Sequence, residues 1–190
     1  RNITMQNSTL WADVAHPIFI GIHGNSKEPE ILENLNYINI DILDHQERQL
    51  DYQGCMAINA GDNNLIRKVR FENIRVEDFR QGQLVNLRIF YNEKYCTAPG
   101  RGIEDVLFKN ISYTGKNTEL SVIEGYNEER KVKNIRFENL RINGKLIYDG
   151  MADKPAWYKT SDMARIYVGA HTEGIVFNNN DSEVADRITQ

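Results

Sequence analysis

The chain has 190 residues, of which 26% are charged, and a formal net charge of −4. Its 23 basic residues against 27 acidic ones, with no long basic run, argue against a nucleic-acid backbone as the main partner. The apolar runs are too short to cross a bilayer, and two cysteines cannot build a disulfide framework or a four-cysteine zinc site. We therefore expect a folded, monomeric domain that has no nucleic-acid or membrane partner and needs neither a metal nor another cofactor.

The first residues, 1–5, contain no initiator Met and no apolar stretch of the kind found in signal peptides. They already belong to a repeat that continues along the chain. We expect residues 1–190 to form a single domain that is the C-terminal portion of a longer protein.

The repeat consists of an apolar residue, any residue, an aromatic or apolar residue, a polar residue, Asn, and then alternating apolar residues. Its clearest copy is V-R-F-E-N-I-R-V at residues 69–76. The central Asn recurs every 29 to 40 residues, at Asn7, Asn39, Asn73, Asn110, Asn139 and Asn179. Repeats of this period indicate stacked units, each of which buries its apolar face against its neighbours.

The spacing inside the motif predicts a bend at the Asn. Phe71 and Ile74 are three residues apart, so a flat strand would place them on opposite faces. A sharp bend at Asn73 keeps both inside, and Asn tolerates the left-handed conformation that such a bend needs. We expect the Asn side chains to stack at one corner, in the interior, as a hydrogen-bonded ladder.

A second β-like stretch lies between successive motifs, at residues 18–22, 55–59, 84–90, 120–123 and 166–168. No stretch shows a long helical period with caps. The sequence therefore predicts an all-β solenoid of about six coils, in which loops absorb the differences in repeat length.

The recurring V-x-F-x-N-I-x-V motif resembles the repeat of the pectin-lyase-like superfamily of right-handed parallel β-helices. This resemblance extends over nearly the whole chain. Within that superfamily, the chain is similar to glycoside hydrolase families 28 and 49, the polygalacturonase-like and dextranase-like enzymes. N-S-T-L-W at residues 7–11, followed by A-H-P-I at residues 15–18, resembles the dextranase-like pattern. This resemblance implies a polysaccharide or oligosaccharide substrate. It also implies a secreted, periplasmic or cell-surface location.

In such helices the first strand of each coil lines a groove that holds the polysaccharide. By alternation, four side chains point away from the core and form an outward column on these strands: His23, Asn59, Arg88 and Tyr167. We expect this column to be the floor of a sugar-binding groove, because sugars need hydrogen bonds and aromatic faces together. The loops at residues 80–83 and 91–101 are expected to wall it, with Tyr91 and Tyr95 stacking on sugar rings.

Glycoside hydrolysis needs two carboxyl groups. The Asn-Thr-Asp and Asp-Asp motifs that supply them in polygalacturonase-like enzymes do not occur here, so the principal acids can lie outside this chain. Within it, the catalytic candidates are Asp13, whose loop leads into the strand of His23, and His23 itself. Turn chemistry is the simpler explanation of Asp62 and Glu124, and Glu124 would share the inward phase if Val122 points inward.

Two interpretations concern residues outside this groove. The D-H-Q-E sequence at residues 44–47 contains metal-ligand residue types, but it lacks further ligands and is interpreted as a surface loop. Cys55 and Cys96 are expected to remain unpaired, with only Cys55 near the core.

Three functions remain open at this stage. The first is a glycoside hydrolase, or its C-terminal half, that uses paired carboxylates. The second is a non-catalytic β-helix that binds glycan or mediates adhesion. The third, a pectate-lyase-type enzyme, would need a calcium site, and no acidic cluster typical of one is evident in the sequence.

Overall fold

The computed structural model describes residues 1–116, 119–151 and 164–178; Asn179, the last predicted Asn of the repeat, lies outside them. Strands are almost the only regular secondary structure of the described residues, which otherwise contain one 3₁₀ turn at Leu50–Tyr52. The prediction of an all-β fold is confirmed. In chain order the strands are β1 (Ile3–Ala12), β2 (Ile18–Gly21), β3 (Ile31–His45), β4 (Met56–Ala60), β5 (Leu65–Glu77), β6 (Val85–Ile89), β7 (Gly102–Thr114), β8 (Ser121–Glu124), β9 (Val132–Ile142), β10 (Lys145–Ile147), β11 (Ile166–Val168) and β12 (Thr172–Asn178).

The chain alternates between two parallel sheets. The first sheet contains the long strands in the order β1-β3-β5-β7-β9, with β12 also beside β9. The second sheet contains the short strands in the order β11-β8-β6-β4-β2. Copies of the motif are in register, so that Phe71 lies beside Tyr37 on one strand and Phe108 on the other.

The motif Asn bends each long strand, as its spacing predicted. The φ angles at Asn7, Asn39, Asn73, Asn110 and Asn139 lie between 53° and 56°, in the left-handed region. Phe71 and Ile74, on either side of this bend, are both fully buried. The phase slip in the sequence is therefore absorbed by one left-handed residue per strand.

The Asn side chains form hydrogen bonds from strand to strand. Asn39 donates to Asn7 at 2.7 Å, Asn110 donates to Asn73 at 2.9 Å, and Asn139 donates to Asn110 at 2.9 Å. These side chains are exposed or half-buried, so the prediction of an interior ladder is wrong. The left-handed bend turns the amides outward while the flanking apolar residues stay inside.

A second corner precedes the first by five residues in β3, β5, β7 and β9, and directly before the start of β1. Its residues also have positive φ, between 53° and 59°: Asn2, Asn34, Lys68, Asp105 and Asn134. Asn34 donates to Asn2 and Asn134 donates to Asp105, each at 3.0 Å. Sequence analysis missed this corner, because Lys68 and Asp105 interrupt the recurrence of Asn.

A stack of aromatic rings lies in the core, on the inner face of the strand segments between the two corners. Its members are Tyr37, Phe71, Phe108, Phe137 and Phe177. Successive ring centroids lie 4.6 to 5.1 Å apart, with planes within 15° of parallel. The inward residues of the second sheet pack against the same core: Ile20, Ile58, Leu87, Ile123 and Ile166. Burial of these apolar faces is the main stabilising contribution.

One hairpin departs from the parallel arrangement. Strand β10 is antiparallel to β9, and the turn between them has positive φ at Asn143 and Gly144, as in a type I′ turn. β12 pairs with the first part of β9 and β10 with its end, so together they cover this edge of the first sheet. Among the described residues, no helix is long and apolar enough to span a membrane.

Candidate functional site

The carboxyl ends of the second-sheet strands carry the candidate site. His23 follows β2, Asp62 follows β4, Tyr91 follows β6, and Glu124 ends β8. These strands are parallel, so their carboxyl ends meet at one edge. Two neighbouring cavities open there: the Arg88 cleft, with a volume of about 450 Å³, and the His23 cleft, with a volume of about 260 Å³.

The Arg88 cleft combines charged groups with exposed aromatic rings. Its principal lining side chains are Arg88, Tyr91, Asn92, Glu124, Tyr126 and His171. Arg88 and Glu124 are register partners on β6 and β8. The rings of Tyr91 and Tyr126, 38% and 43% exposed, meet edge to face with centroids 6.2 Å apart. The predicted residues Arg88 and Tyr91 are thus brought together.

Glu124 is a cleft residue that sequence analysis did not select. Ile123 is fully buried, whereas Val122 and Glu124 are half-buried on the outward face of β8. The inward option for Val122 and Glu124 is therefore wrong. Counting the alternation from Ile123 would have placed Glu124 beside Arg88.

Tyr167, predicted for the outward column, adjoins this cleft. It is 49% exposed and pairs with Val122, so it lies one row away from Arg88 and Glu124. A Cβ added at Gly169 would lie 2.8 Å from both Glu124 Oε1 and Tyr167 Cε1. Gly169 therefore allows the carboxylate and the phenol ring to approach the same point.

His171 is held by a charged pair on the far wall of the Arg88 cleft. Its Nδ1 lies 2.9 Å from Glu128 Oε1, and Lys131 Nζ lies 3.1 Å from Glu128 Oε2. The hydrogen bonds from Lys131 and His171 lower the pKa of Glu128, so this carboxylate is ionised near neutral pH. The pair fixes the orientation of the imidazole at the cleft.

Asn59 does not face the groove, so that prediction is wrong. Its phase is outward, but it is fully buried and donates to Asn86 at 3.1 Å. Asn86 in turn donates to Gln83, which donates to the carbonyl of Leu50. The segment around the 3₁₀ turn therefore covers the middle of the second sheet and excludes a sugar from Asn59.

The His23 cleft lies on the other side of this covering segment. It is lined by His16, His23, Glu47, Gln49, Tyr52 and Tyr95. The His23 side chain is 60% exposed and Tyr95 is 52% exposed. Tyr52 packs on Phe90, a residue of the Arg88 cleft, with ring centroids 5.4 Å apart. The two clefts are thus separated by one aromatic contact.

Asp13 lines neither of these two clefts. Its side chain is 79% exposed and forms an ion pair with Arg80 at 3.0 Å. Arg80 also bonds Asp44 at 2.6 Å. The structure therefore does not bring Asp13 into a groove with His23, and that prediction is corrected.

Asp62 is a buried carboxylate that accepts hydrogen bonds from two loops, in addition to its place in a turn. It is 4% exposed and accepts hydrogen bonds from the backbone N–H of Gly24 at 3.1 Å and of Thr97 at 2.7 Å. Burial would raise its pKa, but the hydrogen bonds from Thr97 and Gly24 outweigh that effect and the pKa lies below its ordinary value. A buried carboxylate thus ties together two loops at the His23 cleft, with His23 Nδ1 4.0 Å away.

Both cysteines are free thiols, as predicted, but both are buried. Cys96 is 4% exposed and packs in a small apolar cluster with Ile22 and Phe90. The prediction that only Cys55 lies near apolar packing is therefore wrong, because the loop after β6 folds back over the end of β2.

His45 is fully buried, so the surface-loop interpretation of its segment is wrong. Nδ1 lies 2.9 Å from the carbonyl oxygen of Ala15, and Nε2 accepts the N–H of Gly54 at 3.0 Å. These contacts require a neutral ring protonated on Nδ1. Burial lowers the pKa of His45 to about 4, although the bond to Ala15 opposes the shift.

Comparisons with protein-family models, with curated proteins and with solved structures find no match to this chain.

Proposed function

We propose that the chain is a right-handed parallel β-helix of about six coils that binds a polysaccharide or oligosaccharide in the Arg88 cleft. Three observations support the fold. The chain alternates between two parallel sheets, the motif copies are in register, and two left-handed corners five residues apart recur with each long strand from β1 to β9.

The composition of the Arg88 cleft is the observation that carries the function. A sugar ring presents hydroxyl groups around its edge and apolar C–H groups on its faces, so it needs hydrogen-bonding groups beside aromatic surfaces. Arg88 and Glu124 provide the former, and the exposed rings of Tyr91 and Tyr126 provide the latter. A volume of about 450 Å³ is within the usual range for small-ligand sites.

The adjoining His23 cleft gives a longer ligand a second contact region. Tyr95 is exposed there, and Tyr52 and Phe90 separate the clefts by a single contact. A chain of several sugar units can therefore extend along the edge of the second sheet. We propose in addition that the protein is secreted, periplasmic or on the cell surface, and that it acts as a monomer.

Glycoside hydrolysis is the second candidate, and Glu124 is the observation in its favour. Its carboxyl group lies in the cleft and could protonate a leaving oxygen. Glu128, the carboxylate that contacts the cleft residue His171, is held by His171 and Lys131. Because Glu128 is engaged in this way, Glu124 still needs a second carboxyl group near the sugar for hydrolysis. Sugar binding needs only the side chains that already line the cleft.

The experiment is a polysaccharide and oligosaccharide binding screen on the 190-residue chain, followed by titration calorimetry and a reducing-sugar assay. We expect Tyr126→Ala to weaken binding by roughly tenfold through loss of a stacking face. Asp13→Asn, outside both clefts, is the matched control and should bind like the wild type.

Two outcomes separate the candidates. Turnover by the wild type that is lost in Glu124→Gln, with binding retained, supports hydrolysis. Binding without turnover supports the binding function alone. If no glycan binds, or if Tyr126→Ala and Asp13→Asn bind equally well, the Arg88 cleft is not a sugar site.

A further inference from the structure

We propose that His23, Asp62 and Cys96 form a binding site for a zinc ion, separate from the Arg88 cleft. Their ligand atoms all lie within 4.8 Å of one another, and His23 Nδ1 is 4.0 Å from Asp62 Oδ2. These are three different side chains of the types that bind Zn²⁺: an imidazole, a carboxylate and a thiol. Nothing in the proposed sugar-binding function accounts for their convergence.

The fold itself brings the three side chains together. His23 follows β2, Asp62 follows β4, and Cys96 lies in the loop after β6. Because these are neighbouring parallel strands of the second sheet, their following loops meet at one edge. The site is therefore built from three successive repeats.

The spacing is close to that of a tetrahedral site. Zn–N, Zn–O and Zn–S bonds of about 2.0 to 2.3 Å place ligand atoms roughly 3.3 to 3.6 Å apart. The observed separations, up to 4.8 Å, need each ligand to move inward by less than about 1 Å. The imidazole of His23 can make most of this adjustment by side-chain rotation, because the side chain is 60% exposed.

The carboxylate is already oriented as a metal ligand. The backbone N–H and the hydroxyl of Thr97 both donate to Asp62 Oδ1, at 2.7 and 3.1 Å. The N–H of Gly24 donates to Oδ2, the oxygen that lies 4.0 Å from His23 Nδ1. Hydrogen bonds that hold a ligating carboxylate in this way are typical of metal sites, where they fix the ligand orientation.

The donor set selects the kind of ion. A thiolate with an imidazole favours Zn²⁺ over the hard cations Ca²⁺ and Mg²⁺, which prefer oxygen ligands. Ionised Cys96 and Asp62 together carry two negative charges, which a divalent ion neutralises. A thiol binds a metal ion as the thiolate, so zinc binding would release the proton of Cys96.

The site lies beside the His23 cleft, because His23 is both a proposed ligand and a wall residue of that cleft. Three protein ligands leave one position of a tetrahedral ion for water or another small ligand. An ion held there would be accessible from that cleft, next to Tyr95 and Tyr52.

The test is titration of the reduced 190-residue chain with Co²⁺ alone, a spectroscopic substitute for Zn²⁺, followed by displacement with Zn²⁺. We expect the visible bands of tetrahedral cobalt and a near-ultraviolet thiolate-to-cobalt band, both saturating at one equivalent. Cys96→Ser should abolish the thiolate band, and His23→Ala should weaken binding by roughly tenfold or more. Cys55→Ala, which removes the other thiol, is the matched control and should keep both bands.

A second measurement avoids any dependence on the folding of the Cys96 variant. In the Cys55→Ala protein, Zn²⁺ should slow alkylation of the remaining thiol at Cys96, and Mg²⁺ at the same concentration should not. Absence of a saturable thiolate band in the wild type would overturn the proposal. So would equal zinc protection in Cys55→Ala and in its His23→Ala double variant. Neither result would decide whether a sugar binds in the Arg88 cleft, which is tested separately with Tyr126→Ala.

Discussion

The two sheets of this protein differ in how regular they are. Strands of the first sheet from β1 to β9 are 10 to 15 residues long, and two left-handed positions five residues apart recur with each of them. Strands of the second sheet are 3 to 5 residues long, and the loops that follow them differ in length and covering. The regular sheet carries the repeat, and the irregular edge carries both clefts.

This difference suggests a division of roles within each repeat unit. Stacked aromatic rings and corner hydrogen bonds in the first sheet recur from strand to strand, so they stabilise the fold without creating a unique site. The ends of the second-sheet strands place a different side chain on each repeat. Substitutions in the first sheet should therefore change stability, and substitutions at the second-sheet edge should change binding.

The largest effect is expected for Phe108→Ala in the first sheet. Phe108 is fully buried between Phe71 and Phe137, with centroid distances of 4.9 and 4.6 Å. Removing the ring leaves a cavity and should lower the free energy of unfolding by about 3–5 kcal/mol. Denaturant unfolding followed by circular dichroism measures this change. A loss below 1 kcal/mol would show that the stack is not the stabilising element; Phe108→Leu should lose less than Phe108→Ala.

The second prediction concerns His45, at the end of β3 beneath loops of the second sheet. Its pKa falls from 6.5 to about 4 on folding, because burial disfavours the charged ring. The folded pKa is the lower one, so this contribution to stability is fully present above pH 6.5 and is lost as pH falls toward 4. The loss should reach about 3 kcal/mol. Unfolding free energies from pH 7.5 to 4 should fall less steeply in His45→Gln; equal slopes would contradict the assignment.

The third prediction tests the Asn corner with Asn110→Ala. Asn110 donates to Asn73 and accepts from Asn139, so Ala removes two hydrogen bonds and also disfavours the left-handed backbone. The free energy of unfolding should fall by about 2 kcal/mol. Asn110→Gly removes the same hydrogen bonds but adopts the left-handed backbone without steric cost, at the expense of a larger loss of conformational entropy on folding. Identical losses in both variants would mean that the steric cost of the left-handed backbone in Ala is no larger than this entropic cost in Gly.

The fourth prediction concerns the other corner, where Lys68 adopts a left-handed conformation with φ of 53°. Asn accepts this conformation at lower cost, so Lys68→Asn should raise the free energy of unfolding by about 1 kcal/mol. Lys133→Asn, on β9 of the same sheet but not at a positive φ, is the control and should not stabilise. A destabilised Lys68→Asn variant would show that the lysine makes a compensating contact.

The smallest stability effect is expected at the second-sheet edge. Glu124→Gln keeps the shape of the side chain in the open Arg88 cleft, so the free energy of unfolding should change by less than about 0.5 kcal/mol. Thermal unfolding measures it beside the binding assay. A large loss would instead assign Glu124 to the structure of the sheet.

Sequence reasoning succeeded where the signal is local. The three-residue offset between Phe71 and Ile74 predicted the bend at Asn73, because side-chain alternation and the tolerance of Asn for left-handed φ are properties of a short segment. The same alternation placed Arg88 on the outward face of β6. It also would have placed Glu124 there, had the phase been taken from Ile123.

The sequence by itself determined the all-β class, the repeat and the Asn corner. Tertiary structure alone decided which outward residues reach a cleft: the segment of the 3₁₀ turn buries Asn59 completely, whereas Arg88 is half-buried and lines a cleft. It also decided that His23, Asp62 and Cys96 converge. The physical reason is that burial and convergence depend on how loops from different repeats fold over the sheet, and no alternation pattern within one strand encodes that.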